Sequence, residues 1–186
     1  MPECEGDFFD LPGTHIQVRS AGGTKREYLG NDGTLLATSH THWRRNPLYP
    51  NPRITVEGVQ FEERLLGKRR NDHMRTPREV VNLDTQERVF RIDGMNFNGK
   101  ANAVIRCSEE HWYSFPVEGT RKENPVMTAV DETGKQVALW WSESDPRRIG
   151  IAAIVIPPGQ AIATDLMVMI AAATPFFAFY FLKPGD

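Results

Sequence analysis

The segment "CSEEHWYS" gathers a thiol (Cys107), two carboxylates (Glu109, Glu110), an imidazole (His111) and two hydroxyls (Ser108, Ser114). A histidine beside a cysteine suggests nucleophilic chemistry, because imidazole can take the thiol proton. Read as a strand, the segment argues against this. Four extended residues place Cys107 and His111 about 13 Å apart. Glu109 and Glu110 are adjacent, so a strand turns them to opposite sides and they form no acid/base pair. His40 and His42 flank Thr41 and share a side of an extended chain, and His73 offers a third imidazole for zinc. The carboxylates near them follow no ligand pattern. Cys-x-x-Cys, Gly-x-Gly-x-x-Gly and Gly-x-x-x-x-Gly-Lys are all absent. The expectation is a protein with no catalytic residues, no metal and no cofactor.

Two cation-rich stretches remain. "KRRNDHMR" carries Lys68, Arg69, Arg70 and Arg75, and "HTHWRRNPLYPNPR" carries Arg44, Arg45 and Arg53. Forked guanidinium donors on a loop suit a phosphoinositide head group or an anionic lipid surface. The bland alternative is a solvated loop, and Asp72, Glu62, Glu63 and Glu79 dilute the local field. Lys68, Arg69, Arg70, Arg75, Arg44 and Arg45 are the candidate lipid-binding residues. A net charge of -2 over 186 residues argues against a nucleic-acid partner. Cys4 and Cys107 do not build a disulfide framework. The acidic opening "MPECEGDFFD" has no apolar core of a signal peptide. The expected location is cytoplasmic, with peripheral membrane attachment as an extension of the lipid reading.

These residues must be held by strands. "REYLGNDGTLLATS", "EVVNLDTQERVFRI" and "MTAVDETGKQVALWW" each place turn-forming residues between apolar runs, the pattern of a β-hairpin. Further strands are expected at "HIQVRS", "RITVEGVQFEERLL", "ANAVIRC", "HWYSFPV" and "RIGIAAIVI", with Gly58 as a bulge. One of Trp140 and Trp141 should pack inward. After the breaker "IPPGQ" the chain becomes apolar on every side, from Ala161 through Ile170. A helix without a polar face must be buried in protein or in lipid. Pro175 kinks or ends it, and "FFAFYFL" continues it or forms a strand. As a membrane anchor the segment would place Asp165 at a cost of about 2.5–3.5 kcal/mol if it reached the bilayer centre. The strands, in turn, need something to bury against. The expectation is a mainly β chain with a buried helix at about 161–174, a tail over 1–12 and one domain over 13–186.

Many strands closed by one apolar helix resemble the tubby C-terminal-like superfamily, most nearly its scramblase-like branch. "AVDETGKQVALWW" and "IPPGQAIATDLMVMIAAATPFFAFYFL" carry the likeness, with Asp165 where those proteins often place an acid before the helix. The resemblance implies a closed antiparallel barrel of about twelve strands with the hydrophobic C-terminal helix through its centre. It also implies a non-catalytic binding module, some relatives being phosphoinositide binders. In "SESDPRRIGIAAIVIPPG", Arg147 and Arg148 follow Asp145 and would repel a divalent cation, so no calcium site is expected there. Two further readings are kept. One is a protein-interaction scaffold without lipid affinity, or a tail-anchored β domain. The other is a carrier with a ligand inside the barrel.

Overall fold

The chain closes a single antiparallel meander around one helix. This computed structural model describes residues 11–22, 25–40, 51–67, 77–93, 103–118, 126–142 and 151–181. The strands are β1 (Thr14–Ser20), β2 (Lys25–Leu29), β3 (Leu35–His40), β4 (Arg53–Val56), β5 (Val59–Leu65), β6 (Arg78–Asn82) and β7 (Arg88–Asp93). They continue as β8 (Ala103–Arg106), β9 (Trp112–Phe115), β10 (Val117–Glu118), β11 (Val126–Asp131), β12 (Gln136–Ser142) and β13 (Ile151–Ile156). Helix α1 (Thr164–Phe181) ends the described chain.

Each strand pairs with its neighbours in sequence, and two seams close the ring. β1 pairs with β13 from Thr14↔Ile156 to Gln17↔Ala153. β9 pairs with β11 at Val130↔Ser114 and Asp131↔Tyr113, and β10 continues the same register at Val117↔Met127 and Glu118↔Val126. β9 and β10 are therefore one strand side. They are divided at Pro116, which has no N–H to give but whose carbonyl still accepts Thr128 N–H at 3.0 Å. Counted so, the barrel has twelve strand sides in a closed ring, and among the described residues only the two-residue β10 has a single paired neighbour. Gly13 lets the β1 seam form, because a Cβ there would collide with the Ile156 carbonyl oxygen.

The stretch "ITVEGVQF" is two strands, where the alternation read from sequence suggested one strand bulged at Gly58. Glu57 and Gly58 both have positive φ, 51° and 82°, the geometry of a two-residue hairpin turn, and Val56 pairs with Val59 across it.

Helix α1 fills the barrel. Leu166 through Thr174 are each at most 4% exposed. Leu166 through Ala173 share one apolar cluster with Ile16, Tyr28, Ile54, Phe90, Ile105, Met127 and Trp140, which come from seven different strands. The helix touches β3 and β4 on one side and β12 on the other. Burying each large apolar side chain contributes about 1.5–3 kcal/mol, so the helix and the strand interior hold each other in place. Trp140 is fully buried and Trp141 partly exposed, as alternation requires.

The helix starts at Thr164, whose hydroxyl donates to Glu57 Oε2 at 2.7 Å, and it runs through Pro175 to Phe181. This is longer than the span to residue 174 expected from sequence. A proline inside a helix deprives the carbonyl four residues earlier of its donor. Here that carbonyl is Ala171, and the Tyr28 hydroxyl donates to it at 3.4 Å. Ser39 Oγ lies 3.1 Å from the same phenol oxygen. One turn away, Thr174 Oγ1 donates to the Ile170 carbonyl at 2.7 Å and accepts Trp140 Nε1–H at 2.9 Å. The wall thus supplies the polar partners that let the helix continue past Pro175. Tyr28→Phe should cost about 1 kcal/mol of unfolding free energy. In a Pro175→Ala background, which restores an N–H for Ala171, the same change should cost less, with a coupling of about 0.5 kcal/mol or more in a double-mutant cycle. Additive effects would overturn this account.

One ion pair also lies inside. Glu63 and Arg78 point inward from β5 and β6 and meet with side chains 5% and 6% exposed. Glu62, the next residue on β5, faces out to Arg64 at 2.9 Å and Arg53 at 3.9 Å. Removing one partner of a buried pair leaves a charge uncompensated. Arg78→Ala, which leaves the buried Glu63 carboxylate without its cation, should therefore lower stability by about 3 kcal/mol in denaturant unfolding, against less than about 1 kcal/mol for Glu62→Ala. Equal losses would show that the inner pair has no special weight.

Candidate functional site

A meander sends its connections alternately to two rims. The tight turns at 30–34, 57–58, 83–87, 107–111 and 132–135 share one rim with the start of α1. The connections after β1, β3, β5, β7, β10 and β12 leave from the other. Lys68, Arg69, Arg70 and Arg75, and likewise Arg44 and Arg45, lie outside the described residues, as do His42 and His73. The strand ends that bracket them are described. His40 pairs with Arg53, Leu65 pairs with Arg78, and Arg53 pairs with Glu62. Both basic segments therefore leave and re-enter the same rim on consecutive strands, which lie about 4.8 Å apart. Arg53, read from sequence as part of the loop, is the first residue of β4 and leans on Glu62. Glu62 and Glu63, expected to dilute the basic field, are both engaged by arginines of the barrel.

The turn rim has the opposite sign. Asp32, Glu57, Asp84, Glu87, Glu109, Glu110, Asp131, Glu132 and Asp165 all sit in its turns, at its strand ends or at the start of α1, against Lys135 and the strand-end Arg88 and Arg106. Several of these carboxylates brace the turns. Asp131 Oδ1 accepts the Thr133 hydroxyl at 2.7 Å, Thr133 N–H at 3.0 Å and Lys135 N–H at 2.9 Å. The Thr133 hydroxyl chiefly, with the backbone donors, holds its pKa below the ordinary value of 3.8.

Cys107 and His111 are not the two ends of one strand. They face each other across the β8–β9 turn, where Cys107 N–H donates to the His111 carbonyl at 2.9 Å. The distance inferred for an extended chain does not apply. Their side chains are nonetheless engaged differently. His111 Nδ1 meets Glu132 Oε2 at 2.7 Å, and Nε2 lies 3.3 Å from the Tyr113 hydroxyl. Burial first, then the nearby Asp165 and Glu132 carboxylates, push the Cys107 thiol up to about 11. Burial likewise pushes Tyr113 up to about 12. A thiol so raised is protonated at neutral pH, the reverse of an activated nucleophile. Since the folded state holds the proton more tightly, this group's contribution to stability is full below the ordinary value of 9.0 and is lost as pH rises through about 11. In a Cys4→Ser chain, iodoacetamide should alkylate Cys107 at pH 8 on the order of a hundredfold more slowly than a free thiol, with the rate climbing toward pH 11. Rapid alkylation at pH 8 would overturn the assignment.

His40 is exposed at the end of β3, and Glu109 and Glu110 are exposed in a turn. Among the described residues, no group of three metal-ligating side chains converges. The barrel interior is occupied by α1, and among the described residues no helix is long and apolar enough to cross a membrane. Sequence reasoning missed a second cationic group, Arg88, Arg91 and Arg106 on the outer wall. Arg106 lies far along the chain from the other two, and only the β7–β8 register joins them. Arg88 and Arg91 are three apart, which plain alternation turns to opposite faces, and only the register shift at Val80/Val81, where Val81 pairs with Arg88, leaves both exposed.

Comparison with protein-family models, with curated proteins and with solved structures found no match.

Proposed function

We propose that this chain is a non-catalytic binding module of tubby-like architecture that docks on anionic phospholipid through its loop rim. Lys68, Arg69, Arg70, Arg75, Arg44 and Arg45 make the contact. The observation that carries this reading is topological: the two segments bearing these cations are anchored on consecutive strands of one rim, and the opposite rim is acidic. A molecule charged this way is turned by a negative surface so that the loop rim faces it. Each cation near an anionic leaflet contributes about 1 kcal/mol, so several together give binding that falls with salt. The order of elements and the filled barrel support the tubby-like assignment.

A protein-interaction scaffold without lipid affinity is the second reading. Leu11, Leu35 and Ile162 are large apolar residues exposed by 40%, 54% and 37%, and all three lie toward the turn rim. That rim would meet a basic protein surface with apolar contacts.

Flotation with vesicles containing phosphatidylserine or a phosphoinositide separates the two. The full chain should float with anionic vesicles at low salt, stay behind with neutral ones, and lose binding at least about tenfold when Lys68, Arg69 and Arg70 become Ala. Equal flotation of wild type and variant, or none at all, would sink the lipid reading.

A further inference from the structure

We propose that the outer wall between β7 and β8 carries a binding site for a small phosphate monoester, separate from the loop rim. β7 and β8 pair at Arg91↔Arg106, Ile92↔Ile105 and Asp93↔Val104, and no further toward the turn rim. Beyond Arg106 the N–H groups of Cys107 and Ser108 both turn to the His111 carbonyl, at 2.9 and 3.1 Å. The two chains part, and an open depression of about 520 Å³ lies between them, lined by Arg88, Arg91 and Arg106 on one hand and Ser108 and Glu109 on the other.

Asp93 makes the arginines into a receptor. Its two oxygens take one guanidinium each, Arg91 Nε at 2.6 Å and Arg106 Nε at 2.8 Å. Only the ε nitrogens are used, so the paired η nitrogens of both forks have no protein partner among the described residues and stay free to donate. Arg106 is further steadied over the Trp112 ring, 6.0 Å from its centroid. Arg88 adds a third guanidinium with no ion-pair partner among the described residues. Ser108 Oγ accepts the N–H groups of Glu110 and His111 at 3.3 and 3.1 Å, which leaves its own proton to donate. Forked, preoriented donors match the oxygens of a phosphate dianion better than a single carboxylate. The depression has room for a small organic group beside the phosphate. Glu109, on the depression's lip, and Glu110 and Glu132 on the adjoining rim repel a long polyanion, so the ligand is small.

The test is titration of the full chain with inorganic phosphate and with glycerol 3-phosphate, followed through the arginine Nε–H NMR signals. Saturable shifts of Arg91 and Arg106 are expected, with glycerol 3-phosphate binding tighter than inorganic phosphate. Arg91→Ala with Arg106→Ala should weaken binding at least about tenfold, and Arg88→Ala alone should weaken it measurably if the double variant fails to fold. The variant with Lys68, Arg69 and Arg70 changed to Ala should bind as wild type does. No saturation by about 10 mM, or affinity unchanged in the wall variants, would overturn the site. Loss of binding in the loop variant would move it to the rim. Equal affinity for the two probes would overturn the monoester assignment.

Discussion

A helix without a polar face is the constraint on which this structure depends. From Leu166 to Thr174 every side chain is buried, so wall must stand on all sides of α1. A two-layer sandwich would leave part of such a helix in water. A closed ring does not, and twelve strand sides enclose a lumen wide enough for a helix instead of a few side chains. The dependence is mutual, since a barrel of this width without its helix would be lined by exposed Ile, Phe and Trp. Pro175 sharpens the point. It takes one donor from the helix in a place where water cannot replace it, and Tyr28 of the wall stands in. The register of β2 is thereby tied to the register of the helix as well as to β1 and β3.

The same closure sorts charge. Alternating connections mean that residues distant in sequence gather at one rim while sequence neighbours part to opposite rims. Tight turns need Asp and Asn to accept backbone N–H groups, as Asp32 does from Thr34 at 2.9 Å and Asn82 does from Asp84 at 2.8 Å. Turn chemistry thus accounts for Asp32 and Asp131 among that rim's carboxylates. The sequence of two connections at the other rim carries Lys68, Arg69, Arg70, Arg75, Arg44 and Arg45.

Much of this was legible along the chain, because strands and turns are local. The alternation of "REYL" and "RVFRI" and the turn residues Asn31 to Gly33 and Asp131 to Gly134 mark hairpins whatever the tertiary fold. The apolar surround of α1 also announced burial. Features that depend on register were hidden. Gly58 looked like a bulge because Val56 and Val59 alternate nearly as well through a turn as through a strand. Cys107 and His111 looked distant because an extended reading ignores the reversal between them. Whether the helix continued past Pro175 stayed open because the donor that serves Ala171 lies on β2, far away in sequence.

Register also decides which arginines are engaged and which are free, and composition says nothing of this. Arg64 and Arg53 both lean on Glu62, and Arg78 is buried against Glu63. Arg64 also gives an η nitrogen to Gln86, at 3.1 Å. Arg91 and Arg106 also have a carboxylate, yet Asp93 holds each by its ε nitrogen and leaves the fork beyond it unused. A carboxylate that consumes a guanidinium and one that aims it are identical in sequence. Glu62 also takes Arg64 by the ε nitrogen, but Gln86 then takes an η nitrogen of that fork, whereas no described residue takes the η nitrogens of Arg91 and Arg106. Their aim follows from Arg91 standing opposite Arg106, with Asp93 two residues along β7 on the same outer face. The charge count of the β7–β8 wall is nearly balanced. Its donors are not, and an anion meeting the wall encounters oriented N–H groups before it encounters net charge.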